Sequence, residues 1–182
     1  MVKIINNHLL EVDFEYSKII DNWSNLIISE YKERKKKIPD MSDFTFTNYE
    51  LIDTLGPKLC KIVEDLFIIS EPKWKSDFGI YVQTSTITTN VLHTHLHNAG
   101  TICGVFYYNI PKEGGEVLFK NDDVLLTYEN VVKPKLDKLY LFPVWMPHSP
   151  LPHKDVDVTR ISFNWHYPSN QRGIYKENGV IW

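Results

Sequence analysis

The sequence predicts an α+β protein in which helices come first and strands follow. The first third contains two segments, residues 17–37 and 50–69, whose apolar residues recur at helical spacing. After Pro72, β-branched and aromatic residues dominate in short runs that are separated by turn residues. Helices followed by strands are typical of α+β domains, so we expect a barrel or sandwich with the helices packed on one face.

The two helical segments differ in how they end. In the first, Trp23, Ile27 and Tyr31 belong to one apolar stripe, and Pro39 is expected to stop the helix. In the second, the pair Gly56-Pro57 is expected to split the helix near its first turns, because proline lacks the N–H that helix hydrogen bonding needs.

Seven segments of the remaining chain have the composition of strands. Turn residues lie between them, notably at 111–115 and 121–123. The candidate strands cover residues 78–84, 88–96, 101–110, 116–119, 131–133, 139–142 and 158–165.

Length and composition limit the functional classes. A chain of 182 residues fits one domain, 1–182, with residues 1–72 mainly helical and 73–182 forming the β core. The formal net charge of −3 makes a nucleic-acid partner unfavourable. No signal peptide or apolar run long enough for a membrane span is evident, so no membrane partner is expected. Two cysteines only, Cys60 and Cys103, favour a reducing compartment, and we expect a cytoplasmic protein, or one of the host cytoplasm if viral.

Three histidines alternate along one candidate strand. His93, His95 and His97 share a face if that segment is extended, and clustered imidazoles are typical of iron, copper, nickel or zinc sites. Residues four apart on a strand lie roughly 13 Å from each other, so His93 and His97 converge on one metal only with difficulty. The spacing leaves two workable pairs, His93/His95 and His95/His97.

Two further segments carry polar residues that a site needs. His148 follows an aromatic and proline-rich stretch and is expected at the end of a strand, where a third ligand is plausible. Twelve residues later, Arg160, Ser162 and Asn164 alternate with apolar residues on another candidate strand. Solvent exposure explains such a face, but an arginine in a pocket also binds a carboxylate through two hydrogen bonds.

Taken together, these segments resemble the iron(II) and 2-oxoglutarate dependent dioxygenases, and most of all a subgroup of largely uncharacterised phage and bacterial oxygenases related to prolyl hydroxylases. The resemblance extends over about residues 76–167. Its elements are His-Leu-His at 95–97, Cys-Gly-Val-Phe-Tyr at 103–107, Gly-Gly at 114–115, Phe-Pro-Val-Trp-Met-Pro-His at 142–148 and Arg-Ile-Ser at 160–162. The fold it implies is a double-stranded β-helix of the jelly-roll or cupin kind, with supporting N-terminal helices.

The resemblance also implies a ligand set for iron(II). His95, His97 and His148 would bind the metal, and His93 would not. The usual facial triad of this family has two histidines and one carboxylate. Here His97 occupies the position of the carboxylate, which leaves the site one positive charge richer.

For the co-substrate, the resemblance implies that Arg160 binds the distal carboxylate of 2-oxoglutarate. Ser162 would assist Arg160, and Tyr107 would touch the co-substrate. The implied reaction consumes dioxygen, decarboxylates 2-oxoglutarate to succinate and hydroxylates a prime substrate, for which a peptide or protein side chain is favoured. The resemblance leaves open a role for ascorbate.

Two other functions are compatible with the residues. One is a cupin-type dioxygenase that uses three histidines without 2-oxoglutarate, and the other is a non-catalytic metal-binding module. Arg160 favours the 2-oxoglutarate enzyme over the first, because a three-histidine enzyme needs no carboxylate clamp there. The retention of His148, Arg160 and Ser162 argues against the second. The prime substrate, the oligomeric state and the source organism are not readable from the sequence.

Overall fold

The protein is described from a computed structural model. The described part of the chain comprises residues 1–39, 43–46, 48–68, 80–83, 101–107, 110–120, 128–143, 145–151, 153, 160–166 and 174–179.

Three α-helices form the helical layer of the described chain. They are α1 (Ser17–Ile20), α2 (Ser24–Lys37) and α3 (Tyr49–Leu66). A 3-10 turn, Asp21–Trp23, joins α1 to α2, so the first predicted helix is interrupted. Asn48 caps the start of α3, because its side chain accepts a hydrogen bond from the Leu51 N–H at 2.9 Å. Pro57 lies inside α3, and the split that the sequence predicted there is not observed. In the described residues, no helix combines the length and the apolar character that crossing a membrane requires.

Twelve strands are described, and all their pairings are antiparallel. They are β1 (Val2–Asn6), β2 (Leu9–Asp13), β3 (Asp43–Phe46), β4 (Phe67–Ile68), β5 (Ile80–Gln83), β6 (Thr101–Tyr107), β7 (Val117–Lys120), β8 (Tyr128–Val132), β9 (Lys138–Pro143), β10 (His148–Pro150), β11 (Arg160–His166) and β12 (Ile174–Tyr175).

The strands form one large sheet and two smaller ones. The order in the seven-stranded sheet is β1-β2-β9-β6-β11-β5-β3, and the three-stranded sheet has the order β10-β7-β8. Strands β12 and β4 form the third sheet. The α+β class predicted from the sequence is confirmed. Within the described residues the larger sheets stay separate, and their strands do not pair into the closed jelly roll that the resemblance implied.

Two hydrophobic clusters lie on opposite faces of the seven-stranded sheet. The outer cluster joins alternate residues of the central strands, such as Ile102 and Phe106, to buried residues of all three α-helices. The inner cluster joins the intervening residues to the three-stranded sheet. Its members are Leu9, Cys103, Val105, Tyr107, Val117, Phe119, Val132, Tyr140, Phe142 and Met146. Alternation along each strand therefore places one face against helices and the other between the two sheets.

The N-terminal hairpin was not predicted. Strands β1 and β2 pair with each other, and β2 extends the large sheet by pairing with β9. Leu10 and Val12 belong to the outer cluster, while Leu9 belongs to the inner one. The chain therefore contributes strands to the main sheet before the helices begin.

Several predicted strands have shifted bounds. Within the described residues, the strand in segment 101–110 is Thr101–Tyr107, the strand at 131–133 is Tyr128–Val132, and the strand in segment 158–165 is Arg160–His166. His148 begins β10 and does not end a strand, because the turn that precedes it returns the chain to the small sheet. The candidate strand 88–96 lies outside the described residues.

Candidate functional site

The inner face of the seven-stranded sheet is organised in rows of opposed residues. Phe142 opposes Cys103 in the β9–β6 ladder, and Tyr140 opposes Val105 two residues further along. Opposed residues of an antiparallel ladder lie side by side on one face of the sheet. From Cys103 to Tyr107 the strand advances by four residues, roughly 13 Å. The inner face thus has one end at Phe142 and Cys103 and another end at Tyr107.

His148 lies at the Phe142 end of this inner face. Its ring centroid is 4.8 Å from that of Phe142 and 5.9 Å from that of Phe119, on which it stacks. Its backbone pairs with Phe119 in the small sheet. His148 therefore projects from the small sheet against aromatic rings of both sheets, partly buried at one end of the space between them.

One hydrogen bond defines the tautomer of His148. Its Nδ1 lies 3.0 Å from the Met146 carbonyl oxygen. A carbonyl only accepts, so Nδ1 carries the proton, and in the neutral ring Nε2 is then the nitrogen that bears the lone pair. A backbone carbonyl that orients the imidazole in this way is typical of metal-binding histidines. The chemistry of His148 therefore fits the metal ligand that the sequence predicted.

The turn between β9 and β10 supplies that carbonyl. The Met146 N–H donates to the Pro143 carbonyl at 3.0 Å, which closes the turn. Met146 is buried in the inner cluster, whereas Trp145 is 40% exposed. The Trp145 ring packs edge-on against His8 of the β1–β2 turn, with centroids 4.8 Å apart. The turn thus fixes Met146 by burial and leaves an aromatic side chain at the rim.

The other predicted metal ligands cannot be placed. His95 and His97, together with the alternative His93, lie outside the described residues. Among the residues that are described, no three histidine, cysteine or acidic side chains come together in a possible metal site. The predicted triad is thus represented in the structure by His148 alone.

The predicted co-substrate residues fall on neighbouring strands. Arg160 opposes Tyr107 in the β11–β6 ladder and Gln83 in the β11–β5 ladder. Ser162 opposes Val105 in the same β11–β6 ladder. Tyr107 and Val105 both belong to the inner cluster. The register therefore places the backbone of Arg160 beside Tyr107, at the end of the inner face away from His148, and the backbone of Ser162 beside Val105, midway along that face.

Tyr107 is fully buried and its hydroxyl is engaged. It donates to the Gly115 carbonyl at 2.8 Å. Gly115 has φ +78°, a left-handed conformation that favours glycine, and a Cβ there would lie 2.8 Å from Pro111 Cγ. The Gly-Gly turn seen in the sequence thus positions the Gly115 carbonyl as the acceptor for the Tyr107 hydroxyl.

Glu11, a buried acidic residue beside Tyr140, was not predicted from the sequence. Glu11 is only 9% exposed and opposes Tyr140 in the β2–β9 ladder. Its carboxylate accepts hydrogen bonds from the Tyr140 hydroxyl and the Lys135 ammonium, both at 3.1 Å. Burial raises the pKa of Glu11, but these hydrogen bonds outweigh it, and the pKa lies below its ordinary value. The alternation of Leu10, Glu11 and Val12 is the signal that could have revealed this strand.

Tyr140 and the Cys103 thiol of the inner face are neutral at ordinary pH. Burial, reinforced by the Glu11 charge, raises the pKa of Tyr140 far above its ordinary value. Burial likewise raises the pKa of the Cys103 thiol. Tyr140 packs edge-on against Tyr107, with ring centroids 6.4 Å apart. The described lining is therefore largely uncharged, with Glu11 as its buried charge.

Comparison with known proteins gives a structural likeness. No protein-family model matches the sequence, and no curated protein matches it. Among solved structures, the chain is similar to a viral collagen prolyl hydroxylase from Paramecium bursaria Chlorella virus-1, determined as a 2-oxoglutarate complex. The two are 15% identical with a TM-score of 0.50, and the match covers 87% of this chain and 94% of that chain. The resemblance predicted from the sequence is thereby confirmed at the level of the fold, which this chain shares with that solved structure.

Proposed function

We propose that this protein is a non-haem iron(II) and 2-oxoglutarate dependent dioxygenase that hydroxylates a prime substrate. The observation that carries the proposal is the arrangement of the inner face. A histidine whose tautomer suits a metal lies at one end, and the ladder position of an arginine lies at the other. The fold likeness to a hydroxylase crystallised with 2-oxoglutarate supports the same conclusion.

At the metal end, we assign His95, His97 and His148 as the ligands. His148 supports this assignment through its Nδ1 bond to the Met146 carbonyl and its contacts with Phe119 and Phe142. When bound, iron(II) would supply the activation of dioxygen that is coupled to decarboxylation of 2-oxoglutarate. The protein's part is to hold three imidazoles on one side of the metal and to keep the surrounding space apolar.

At the other end, we assign Arg160 to the distal carboxylate, with Ser162 and Tyr107 beside it. A guanidinium can hold a carboxylate through two parallel hydrogen bonds. The roughly 13 Å between the two ends is a span that two side chains and a short dicarboxylate can bridge together. A carboxylate that accepts a hydrogen bond from the Tyr107 hydroxyl must displace the Gly115 carbonyl, because one hydroxyl donates one hydrogen bond.

The remaining assignments follow from the same proposal. We infer that residues 1–182 form a single domain and that its β core is a double-stranded β-helix. The solved relative is a collagen prolyl hydroxylase by description, and a peptide or protein side chain is the prime substrate that we favour here. Exposed Trp145 at the rim, three residues before His148, is compatible with a substrate that approaches the metal end.

The test is anaerobic titration of purified protein with iron(II) and then 2-oxoglutarate. Chelation by the 2-oxo acid is expected to give a visible charge-transfer band, and oxygen with ascorbate should then yield succinate. The His148→Ala variant should give neither, whereas His8→Ala, an imidazole lost outside the ligand set, should retain the band. A metal-loaded wild type that has no band and forms no succinate would favour the three-histidine enzyme or the binding module.

A further inference from the structure

Tyr16 connects the helical layer to the strand that carries Tyr107. It precedes α1 and is 1% exposed. Its ring packs on Phe106, with centroids 4.2 Å apart, on the outer side of the sheet. Its hydroxyl donates a hydrogen bond to the Tyr107 carbonyl oxygen. Burial raises the pKa of Tyr16 well above its ordinary value, so the hydroxyl keeps its proton and remains a donor.

The backbone around Tyr16 is itself fixed by the turn before β9. The Asp137 carboxylate accepts from the Ser17 N–H at 3.0 Å and from the Ser17 hydroxyl at 3.1 Å. The Asp137 carbonyl accepts from the Phe14 N–H at 3.1 Å. Residues on both sides of Tyr16 are thus bound to one turn, which restricts the backbone from which its side chain extends.

The Tyr16 hydroxyl bonds to β6 at the point where the ladder between β6 and β9 ends. The last pair in that ladder is Phe106 with Leu139, one residue before Tyr107. On its other side, Tyr107 is paired with Arg160. Tyr16 therefore supplies a donor to the strand end at which the candidate carboxylate site is built, although it lies on the opposite side of the sheet from that site.

We propose that Tyr16 is a positioning residue for the distal carboxylate of the co-substrate. It holds the Tyr107 end of β6 and, through the ladder, the backbone of Arg160. This inference rests on the proposed function. It assigns a role in co-substrate selection to a residue that contacts neither the metal nor 2-oxoglutarate. Small displacements of a binding group are enough to weaken a bidentate contact substantially.

The experiment compares two ligands in two tyrosine variants. Tyr16→Phe removes the donor, and Tyr175→Phe is the matched control. Tyr175 is 2% exposed and belongs to the same outer cluster, but it lies in β12 of a different sheet and its hydroxyl donates to Glu177. Each manganese-loaded protein is titrated with 2-oxoglutarate and with 2-oxobutyrate, which lacks the distal carboxylate. Tyr16→Phe should weaken 2-oxoglutarate binding by roughly 10-fold, the order seen when supporting contacts are lost. Binding of manganese and of 2-oxobutyrate should be unchanged, as should every affinity of Tyr175→Phe.

Each outcome decides the inference. Equal losses for both ligands, or the same loss in Tyr175→Phe, would mean a general structural effect and would overturn it. Unchanged 2-oxoglutarate affinity in Tyr16→Phe would overturn it while leaving the proposed function intact. A wild type that does not bind 2-oxoglutarate would reject the proposed function and this inference together. If Tyr16→Phe does not fold, Ser17→Ala, which loses one bond to Asp137, should give a smaller loss of the same selectivity.

Discussion

At the scale of single residues, the choice of metal ligands can be tested by removing one imidazole at a time. We expect His95→Ala, His97→Ala and His148→Ala each to lose bound iron(II), because three protein ligands are the fewest that define one side of the metal. His93→Ala should keep it. Metal content after dialysis measures the effect. Loss of iron in His93→Ala together with retention in His97→Ala would instead assign the pair His93/His95.

Arg160 provides a second test at this scale. Arg160→Met should weaken 2-oxoglutarate binding by about 30-fold to several thousand-fold, since truncating one partner of a buried charged pair costs roughly 2–5 kcal/mol. Arg160→Lys should fall between, because it keeps the charge and loses the planar fork. Anaerobic titration of the iron(II) protein gives these affinities, and iron binding itself should hardly change.

The control for Arg160 is the same substitution on α2. Arg34 pairs with Glu30 on the exposed face of that helix, so Arg34→Met should leave 2-oxoglutarate affinity unchanged. If Arg160→Met bound 2-oxoglutarate as tightly as Arg34→Met, the main reason to prefer a 2-oxoglutarate enzyme over another histidine–metal barrel would be gone.

At the scale of elements, the N-terminal hairpin is attached to the sheet partly through Glu11. The pKa of Glu11 is lowered in the folded protein, so its contribution is complete above its ordinary pKa, near 4.5, and is lost as the pH falls through the lower folded value. Glu11→Gln should lower the free energy of unfolding by about 1.5–3 kcal/mol at pH 7, the scale of hydrogen bonds to a charged group. Denaturant titrations at pH 7 and in acid measure the free energy of unfolding of the wild type and of Glu11→Gln. The difference between these two free energies should shrink in acid.

An exposed carboxylate serves as the comparison for Glu11. Glu33 also has a lowered pKa, but it pairs with Lys36 on the solvent side of α2. Glu33→Gln should therefore change stability little at either pH, as is usual for surface ion pairs. A pH-independent difference between wild type and Glu11→Gln would show that the loss comes from packing and that the ionised form is not what stabilises the hairpin.

The elements also show what sequence could and could not predict. Helix α3 was foreseen because its apolar stripe is a local pattern, while the hairpin was not, because β2 finds its partner β9 far along the chain. The bond from Tyr140 to Glu11 spans 129 positions, and no local motif marks either residue. The histidines and Arg160 are predicted from spacing and resemblance, and that assignment stays a prediction. Tyr16 carries no motif, and its hydroxyl bonds to a carbonyl 91 positions away.

At the scale of the whole molecule, metal and 2-oxoglutarate should stabilise the fold together, since the proposed site joins the two larger sheets. A ligand at 100 times its Kd adds about 2.7 kcal/mol. For a chain of 182 residues, that corresponds to a rise in Tm of about 5–10 °C. Thermal unfolding with manganese(II) in place of iron avoids turnover during the measurement.

The pattern of Tm shifts across variants is the decisive part of this prediction. Manganese should raise the Tm of the wild type and of Arg160→Met alike, because Arg160 is not a ligand. Adding 2-oxoglutarate should raise it further in the wild type, and much less in Arg160→Met. His148→Ala should show neither rise, because chelation of the 2-oxo acid requires the metal. If 2-oxoglutarate alone raised the Tm of His148→Ala as much as it does in the metal-loaded wild type, the co-substrate would be bound elsewhere, and the two ends of the inner face would not form one site.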